Sequence, residues 1–207
     1  MGLRKTPPTP LHQVQDREHP RDLEGLIEQL DSSNSTLRRW AARDLANHPP
    51  AVSALGEALA READTSVREA LFTSLSAIAG ESAVRALLPL LRSEQAPLRN
   101  GAIEALAAMP DDVAPSISAL LNDPDVDVRL FTVNLMGELR HPSVCTWLVQ
   151  VLRAESQINV VAAAIEVLTE VGGSAERPAL LEVRSRFEDD PFLVFAVDLA
   201  LSRIEAT

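Results

Sequence analysis

Tyrosine is absent from this 207-residue sequence, cysteine and lysine occur once each, and there are only five Phe and two Trp. The single Cys145 excludes an intrachain disulfide, and its place in a predicted helix wall favours a half-buried thiol. No apolar run reaches the roughly 20 residues that cross a bilayer, and the first residues lack the apolar segment of a signal peptide. We therefore expect an aliphatic core, no membrane insertion and a cytoplasmic location.

Residue patterns that carry chemistry are missing as well. The four histidines do not form the His-Glu pairs of a repeated metal site, and no Ser or Thr has His and Asp at the spacing of a nucleophilic triad. A glycine-rich phosphate loop is also missing. These absences predict no catalytic residue, no metal and no cofactor, and hence a chain that is not an enzyme.

The charge is acidic and unevenly distributed. Residues 1–43 carry seven Arg or Lys against six Asp or Glu, whereas residues 44–207 carry twelve against twenty-four. Binding to nucleic acid depends largely on cationic side chains that displace counterions from phosphate. The acidic balance therefore excludes nucleic acid as an expected partner.

A repeat organises the rest of the sequence. An apolar anchor residue recurs at intervals of 30, 31, 30, 32 and 33 residues, each time followed by apolar residues at helical spacing. The anchors are Leu37, Val67, Leu98, Val128, Val160 and Leu193. Before each anchor lies another segment with an apolar pair four residues apart, such as Leu55 and Leu59. The pattern predicts six helix pairs in one domain over residues 22–207.

Residues 1–21 differ from the repeats, because they contain four prolines and little periodicity. Such a segment cannot bury enough apolar area to offset the entropy of ordering. We predict a flexible proline-rich arm.

The best-formed repeats are 64–71, 96–102 and 125–129, which combine a polar turn, an apolar residue followed by Arg, and in the longer two a following alanine. This pattern resembles the HEAT-like repeats of bilin-lyase type over about residues 23 to 205. The resemblance implies an all-α, right-handed α-α superhelix, or solenoid. Repeats of this kind serve scaffolds, chromophore lyases, assembly factors and a few enzymes, so the resemblance identifies the fold and leaves the function open.

Polar residues flank the anchors in two rows. An arginine follows four of the anchors, and polar residues stand three positions before all six. We predict a structural ladder in which these arginines bond the polar groups of nearby turns. Its members are Asp64, Arg68, Arg99, Asp125, Arg129 and Asp190. The alternative is that the arginines line a groove and hold an acidic ligand.

Positions one, two and six after each anchor are expected to face outward along the concave side of the solenoid. They are basic in the first pair, mixed in the middle and apolar at the end, and the last helix is apolar almost all round. We predict that a partner protein or peptide, or a second copy of the chain through the last helix, binds there. The predicted partner-binding residues are Arg38, Arg39, Arg43, Leu130, Val161, Val194, Phe195 and Leu199.

These features favour a non-enzymatic scaffold, adaptor or assembly factor. The alternative is a bilin-lyase-like or chaperone role toward a chromophore or metalloenzyme subunit, with Cys145 as a candidate transient acceptor. A conjugated ligand favours aromatic walls, and Trp40 and Trp147 lie several repeats apart.

Overall fold

The computed structural model describes residues 20–205, and this part of the chain is built from α-helices without strands. The helices are α1 Leu23–Gln29, α2 Ser35–Leu45, α3 Val52–Arg61, α4 Thr65–Ile78, α5 Gly80–Leu87, α6 Ala96–Ala107, α7 Pro110–Leu121, α8 Val126–Glu138, α9 Val144–Ala154, α10 Ile158–Val171, α11 Arg177–Arg186 and α12 Pro191–Glu205. Short 3₁₀ segments, Pro49–Ala51 and Leu88–Arg92, precede α3 and follow α5. The predicted all-α superhelix is confirmed. The predicted arm lies outside the described residues except for its last two.

Consecutive helices form six antiparallel pairs that stack in chain order. The second helices pack in series, α2 on α4, α4 on α6, α6 on α8, α8 on α10 and α10 on α12. First helices pack on one another as well, for example α3 on α5 and α9 on α11. The core is a continuous layer between the two rows of helices.

The anchor residues lie in this layer. All six are buried, together with small residues such as Ala41, Ala102 and Ala164, which let neighbouring helices approach closely. Each buried Leu or Val contributes roughly 1.5–3 kcal/mol through removal of apolar surface from water. The 30-residue sequence period is therefore the period of core packing.

Side-chain caps start several of the second helices. Asn34, Asp64 and Asp125 each accept a hydrogen bond from a backbone N–H of the first turn, at 2.9 Å. The sequence around α4 also resembles a capping box formed by Ser66 and Glu69, but Asp64 is the capping residue in the structure. These caps satisfy N–H groups that have no partner within the helix.

The last repeat ends the stack with a partly polar outer side. On α12 the residues Leu193, Val197, Ala200 and Ile204 are buried, and Asp198 accepts a 2.7 Å hydrogen bond from Arg184 of α11. This exposed ion pair makes part of the outer surface of the last repeat polar. The exposed apolar residues of α12 lie on another side of the helix.

Candidate functional site

Three of the four arginines that follow the anchors bond the turn before their own helix. The Nη1 atoms of Arg38, Arg99 and Arg129 donate to the carbonyl oxygens of Ser32, Ser93 and Asp123, at 2.8, 2.9 and 2.8 Å. In each case the acceptor lies six residues earlier. These bonds fix the turns that join the helices of a pair.

Two of these arginines also connect neighbouring repeats. The Nε atoms of Arg38 and Arg129 donate to Glu62 and Glu155, both at 2.7 Å, and each glutamate lies in the turn of the next repeat. The hydrogen bonds from Arg38 lower the pKa of Glu62, and they raise the pKa of Arg38 itself. Arg38 is thus engaged within the fold, which argues against its predicted role in partner binding.

The other predicted ladder residues have different contacts. Asp64, Asp125 and Asp190 cap their helices, and Arg68 donates to Thr65 Oγ1 at 3.2 Å. Arg99 lies over the ring of Phe131 with its Cζ atom 4.3 Å from the centroid, a cation–π contact. Arginines of the predicted ladder thus bond turn carbonyls and turn glutamates, whereas its aspartates act as helix caps.

At the N-terminal end, Arg43 is exposed and Arg39 is half-buried. Among residues 20–205, the buried Nε atom of Arg39 has no hydrogen-bond partner. Neither residue forms an ion pair within the described part of the chain. These two arginines stay available for an acidic group.

Seven of the twelve residues that line an open groove between α4 and α6 are polar. The groove has a volume of about 550 Å³, and its lining includes Arg68, Glu69, Thr73, Asn100 and Glu104. We call it the polar groove.

In a second open groove, formed by α8, α10 and α12, eight of the fourteen lining residues are apolar. Its volume is about 640 Å³, within the usual range of ligand sites. The apolar residues are Leu130, Ala162, Ala163, Ile165, Phe192, Phe195, Ala196 and Leu199, and the polar ones are Asn134, Asn159, Glu166, Thr169, Glu170 and Arg203. We call it the C-terminal groove.

Three large side chains of this groove are exposed to solvent. Phe192 is 62% exposed, Phe195 67% and Leu199 52%. Leu130 lines the same groove and is half-buried, and Val194 is half-buried on α12 outside the set of lining residues. Sequence reasoning missed Phe192, which stands directly before an anchor, where no outward position was expected.

Val161 does not belong to this surface. Its exposed fraction is 0%, so it cannot contact a partner, and its assignment as a binding residue is corrected. Position one after the anchor lies between repeats. Arg38 and Arg129 reach the neighbouring turn from this position, whereas the short side chain of Val161 stays inside.

Cys145 has the features of a structural thiol. Its Sγ atom donates to the carbonyl oxygen of Val171 at 3.6 Å. Burial, aided by the charge of Glu176, raises the pKa of the thiol. Because the thiolate is the nucleophilic form, this environment disfavours a role as acceptor.

The family model for HEAT repeats matches residues 23–107 and 113–201. The chain belongs to the HEAT-repeat family. Each helix within residues 20–205 is too short or too polar to span a lipid bilayer.

Relatives connect the chain with proteins of bilin biosynthesis. "Bilin biosynthesis protein PecE" of Nostoc sp. PCC 7120 is 45% identical over 82 residues, which are 39% of this chain and 32% of PecE. "Uncharacterized phycocyanin operon protein Z" of Pseudanabaena tenuis is 26% identical over 195 residues, covering 88% of this chain and 95% of the relative. The matched segment thus spans about a third of the length of PecE.

A solved complex of CpcE and CpcF of phycocyanin lyase from Nostoc sp. PCC 7120 is also similar. The alignment covers 98% of this chain and 100% of the matched chain of the complex. The sequence identity is 20% and the TM-score is 0.35.

The matches to PecE contradict the prediction that the chain is not an enzyme. The PecE proteins of Nostoc and of Mastigocladus laminosus, 45% and 43% identical over 82 residues, are both named for bilin biosynthesis. The absence of triad and metal motifs was an unsafe basis for that prediction, because a protein can assist a reaction whose reactive groups lie on its substrates.

Proposed function

We propose that the chain is a protein-binding subunit of a bilin-lyase-like system, which holds the protein that receives the bilin. The 45% identity to PecE over 82 residues carries this proposal. The family supports it, since HEAT-type solenoids bind partners along extended surfaces. A bilin-specific role replaces the general scaffold as the main hypothesis.

The C-terminal groove is the proposed contact with the acceptor protein. It combines the exposed Phe195 and Leu199 with half-buried Leu130, and Phe192 joins the residues predicted from sequence. Aromatic anchors at the centre of an interface contribute much of its binding energy. Val194 lies on the same helix and borders this contact in our proposal.

Arg39 and Arg43 form a second proposed contact, at the opposite end of the solenoid. Both arginines are without an ion-pair partner among the described residues, so an acidic segment of the acceptor protein would meet uncompensated positive charge. Replacement of Arg39 and Arg43 by Glu should weaken acceptor binding and should make that binding less sensitive to salt concentration.

The chain contributes binding and orientation rather than a covalent nucleophile. The pKa of the Cys145 thiol is raised and the thiol donates to Val171, so we assign no bilin to it. Orientation of two reactants alone can supply a large part of a rate enhancement. The group that bonds the bilin then belongs to the acceptor.

The test is reconstitution in a bacterial host that makes a bilin and the apo form of a phycocyanin subunit. Addition of the chain should raise the amount of covalently bound bilin, detected as zinc-induced fluorescence in a denaturing gel. Cys145→Ser should retain this effect, and Phe195→Asp should lose it. Binding of the apo subunit without any gain in attachment would overturn the lyase-like role and support a scaffold.

A further inference from the structure

The second helices provide an internal comparison for the C-terminal groove. Two positions after the anchor, the six repeats carry Arg39, Glu69, Asn100, Leu130, Ala162 and Phe195. Six positions after it, they carry Arg43, Thr73, Glu104, Asn134, Glu166 and Leu199. The first three repeats fold with polar residues at every one of these positions. The solenoid therefore does not require apolar residues at the places where the C-terminal groove has them.

The exposed apolar residues of α12 have helical spacing. Phe192, Phe195 and Leu199 stand at i, i+3 and i+7, so they form one stripe along the helix. Across the groove, Ala162 and Ala163 are small and half-buried, which leaves room for a bulky side chain between α10 and α12. A groove with this shape and this stripe fits a helix that lies along it.

The charge of the groove restricts the chemistry of that helix. Glu166 and Glu170 stand at i and i+4 on α10, about 6 Å apart on one face. Their side chains have no ion pair or hydrogen bond among the described residues, whereas Arg203, the cation of the same groove, is engaged in another interaction. Two unpaired carboxylates beside an apolar stripe are complementary to a helix with basic residues along one edge.

We infer that the C-terminal groove binds an amphipathic helix of the acceptor protein. The apolar face of this helix packs on Phe195, Leu199 and Ala163, and its Lys or Arg residues, four positions apart, pair with Glu166 and Glu170. The inference rests on the proposed function, since it names the chemistry of the segment that the acceptor presents. It can be tested without any bilin.

The test uses two fluorescein-labelled synthetic peptides of about five helical turns. Both have Leu at i, i+3 and i+7, one with Lys and the other with Glu at paired positions four residues apart on the flanking edge. Fluorescence anisotropy should show at least tenfold tighter binding of the Lys peptide, and its affinity should fall as salt is added. Equal affinity for the two peptides would overturn the inference.

Matched variants locate the binding. Glu166→Gln with Glu170→Gln should weaken the Lys peptide roughly three- to tenfold, and Phe195→Ser should weaken it about tenfold or more. The controls are Glu69→Gln with Glu104→Gln in the polar groove, and Leu181→Ser, an exposed apolar residue on α11. Controls that weaken the peptide as much as the groove variants would contradict the assignment.

The mass of the protein in solution tests whether a second copy of the chain occupies the C-terminal groove. If the wild type is a dimer and Phe195→Ser is a monomer, a second copy occupies the groove and the inference fails. The bilin-attachment assay separates the two proposals, because it uses the whole acceptor. If the Lys peptide does not bind but the chain still raises bilin attachment, only the proposal of an amphipathic helix in the groove is rejected. If the peptide binds but bilin attachment does not rise, only the lyase-like role is rejected.

Discussion

Arg129 of α8 binds Glu155 in the turn between α9 and α10, with Nε and Oε2 2.7 Å apart. The pair is largely shielded, at 16% and 9% exposed side-chain area. Glu155 also accepts backbone N–H bonds from Ser156 and Gln157. This carboxylate thus holds the fourth repeat to the fifth.

Removal of this carboxylate should destabilise the solenoid. Glu155→Ala leaves the Nε and Nη2 groups of the half-buried Arg129 and two turn N–H groups without their acceptor, a loss of about 1–3 kcal/mol in the free energy of unfolding. Urea unfolding measures it. Glu182→Ala, which removes the exposed partner of Arg153, is the control and should change stability by less than about 0.5 kcal/mol. Equal losses would mean that burial of the pair is unimportant.

The two inter-repeat glutamates should make stability depend on pH. Hydrogen bonds from Arg38 lower the pKa of Glu62. Burial raises the pKa of Glu155, but the bonds from Arg129 and the turn backbone outweigh it, so this pKa is lowered too. A lowered folded pKa gives stability that is full above the unfolded pKa, about 4.3 for Glu, and is lost as pH falls through the folded pKa.

Wild type and Glu62→Gln with Glu155→Gln should therefore differ most in stability near neutral pH. The difference should shrink as pH falls below about 4.3, where the wild-type carboxyls take up protons. Urea midpoints measured across this range test the prediction. A difference that stays constant would show that folding does not lower the pKa of these two carboxyl groups.

The core was predictable because the buried face of a helix requires apolar residues at regular intervals in the sequence. The six anchors and their 30-residue spacing identify the second helices, and all six anchors are buried. The partners of Arg38 and Arg129 were not predictable in the same way. Glu62 and Glu155 stand five residues before an anchor, in the turns between helices. Whether they contact an arginine of the preceding repeat depends on the backbone path of the turn, which a periodic sequence pattern does not describe.

The candidate site could be predicted only in part, for the same reason. Phe195 and Leu199 were identified from their positions after an anchor, and they are exposed. Val161 was assigned to the surface because it stands one position after an anchor, where side chains were expected to face outward. That position lies between repeats, and side-chain length decides whether a residue there reaches out.

A glycine at position 79, in the turn between α4 and α5, should stabilise the folded protein. Ala79 has φ 56° and ψ −166°, a conformation that is nearly confined to glycine. Ala79→Gly should raise the free energy of unfolding by about 1 kcal/mol. Ala119→Gly, at an exposed position inside α7, should lower it by roughly the same amount. Thermal unfolding of both variants measures the contrast, and a destabilised Ala79→Gly would contradict it.

Gly101 of α6 lies against the ring of Phe72 of α4, and both residues line the polar groove. A Cβ atom at position 101 would stand 2.3 Å from Cε2 of that ring, which is closer than atoms can pack. Glycine inside a helix costs about 1 kcal/mol relative to alanine, so Gly101→Ala would stabilise an unobstructed helix. Here we expect a loss of about 1–3 kcal/mol from overpacking.

The control for this prediction is a smaller residue at position 72. In a Phe72→Leu background the clash is relieved, and Gly101→Ala should become neutral or stabilising. Urea unfolding of the four proteins gives the coupling energy between the two sites. Additive effects would show that the ring moves aside at little cost. A strong coupling would mean that the close contact of α4 and α6 depends on the missing side chain at position 101.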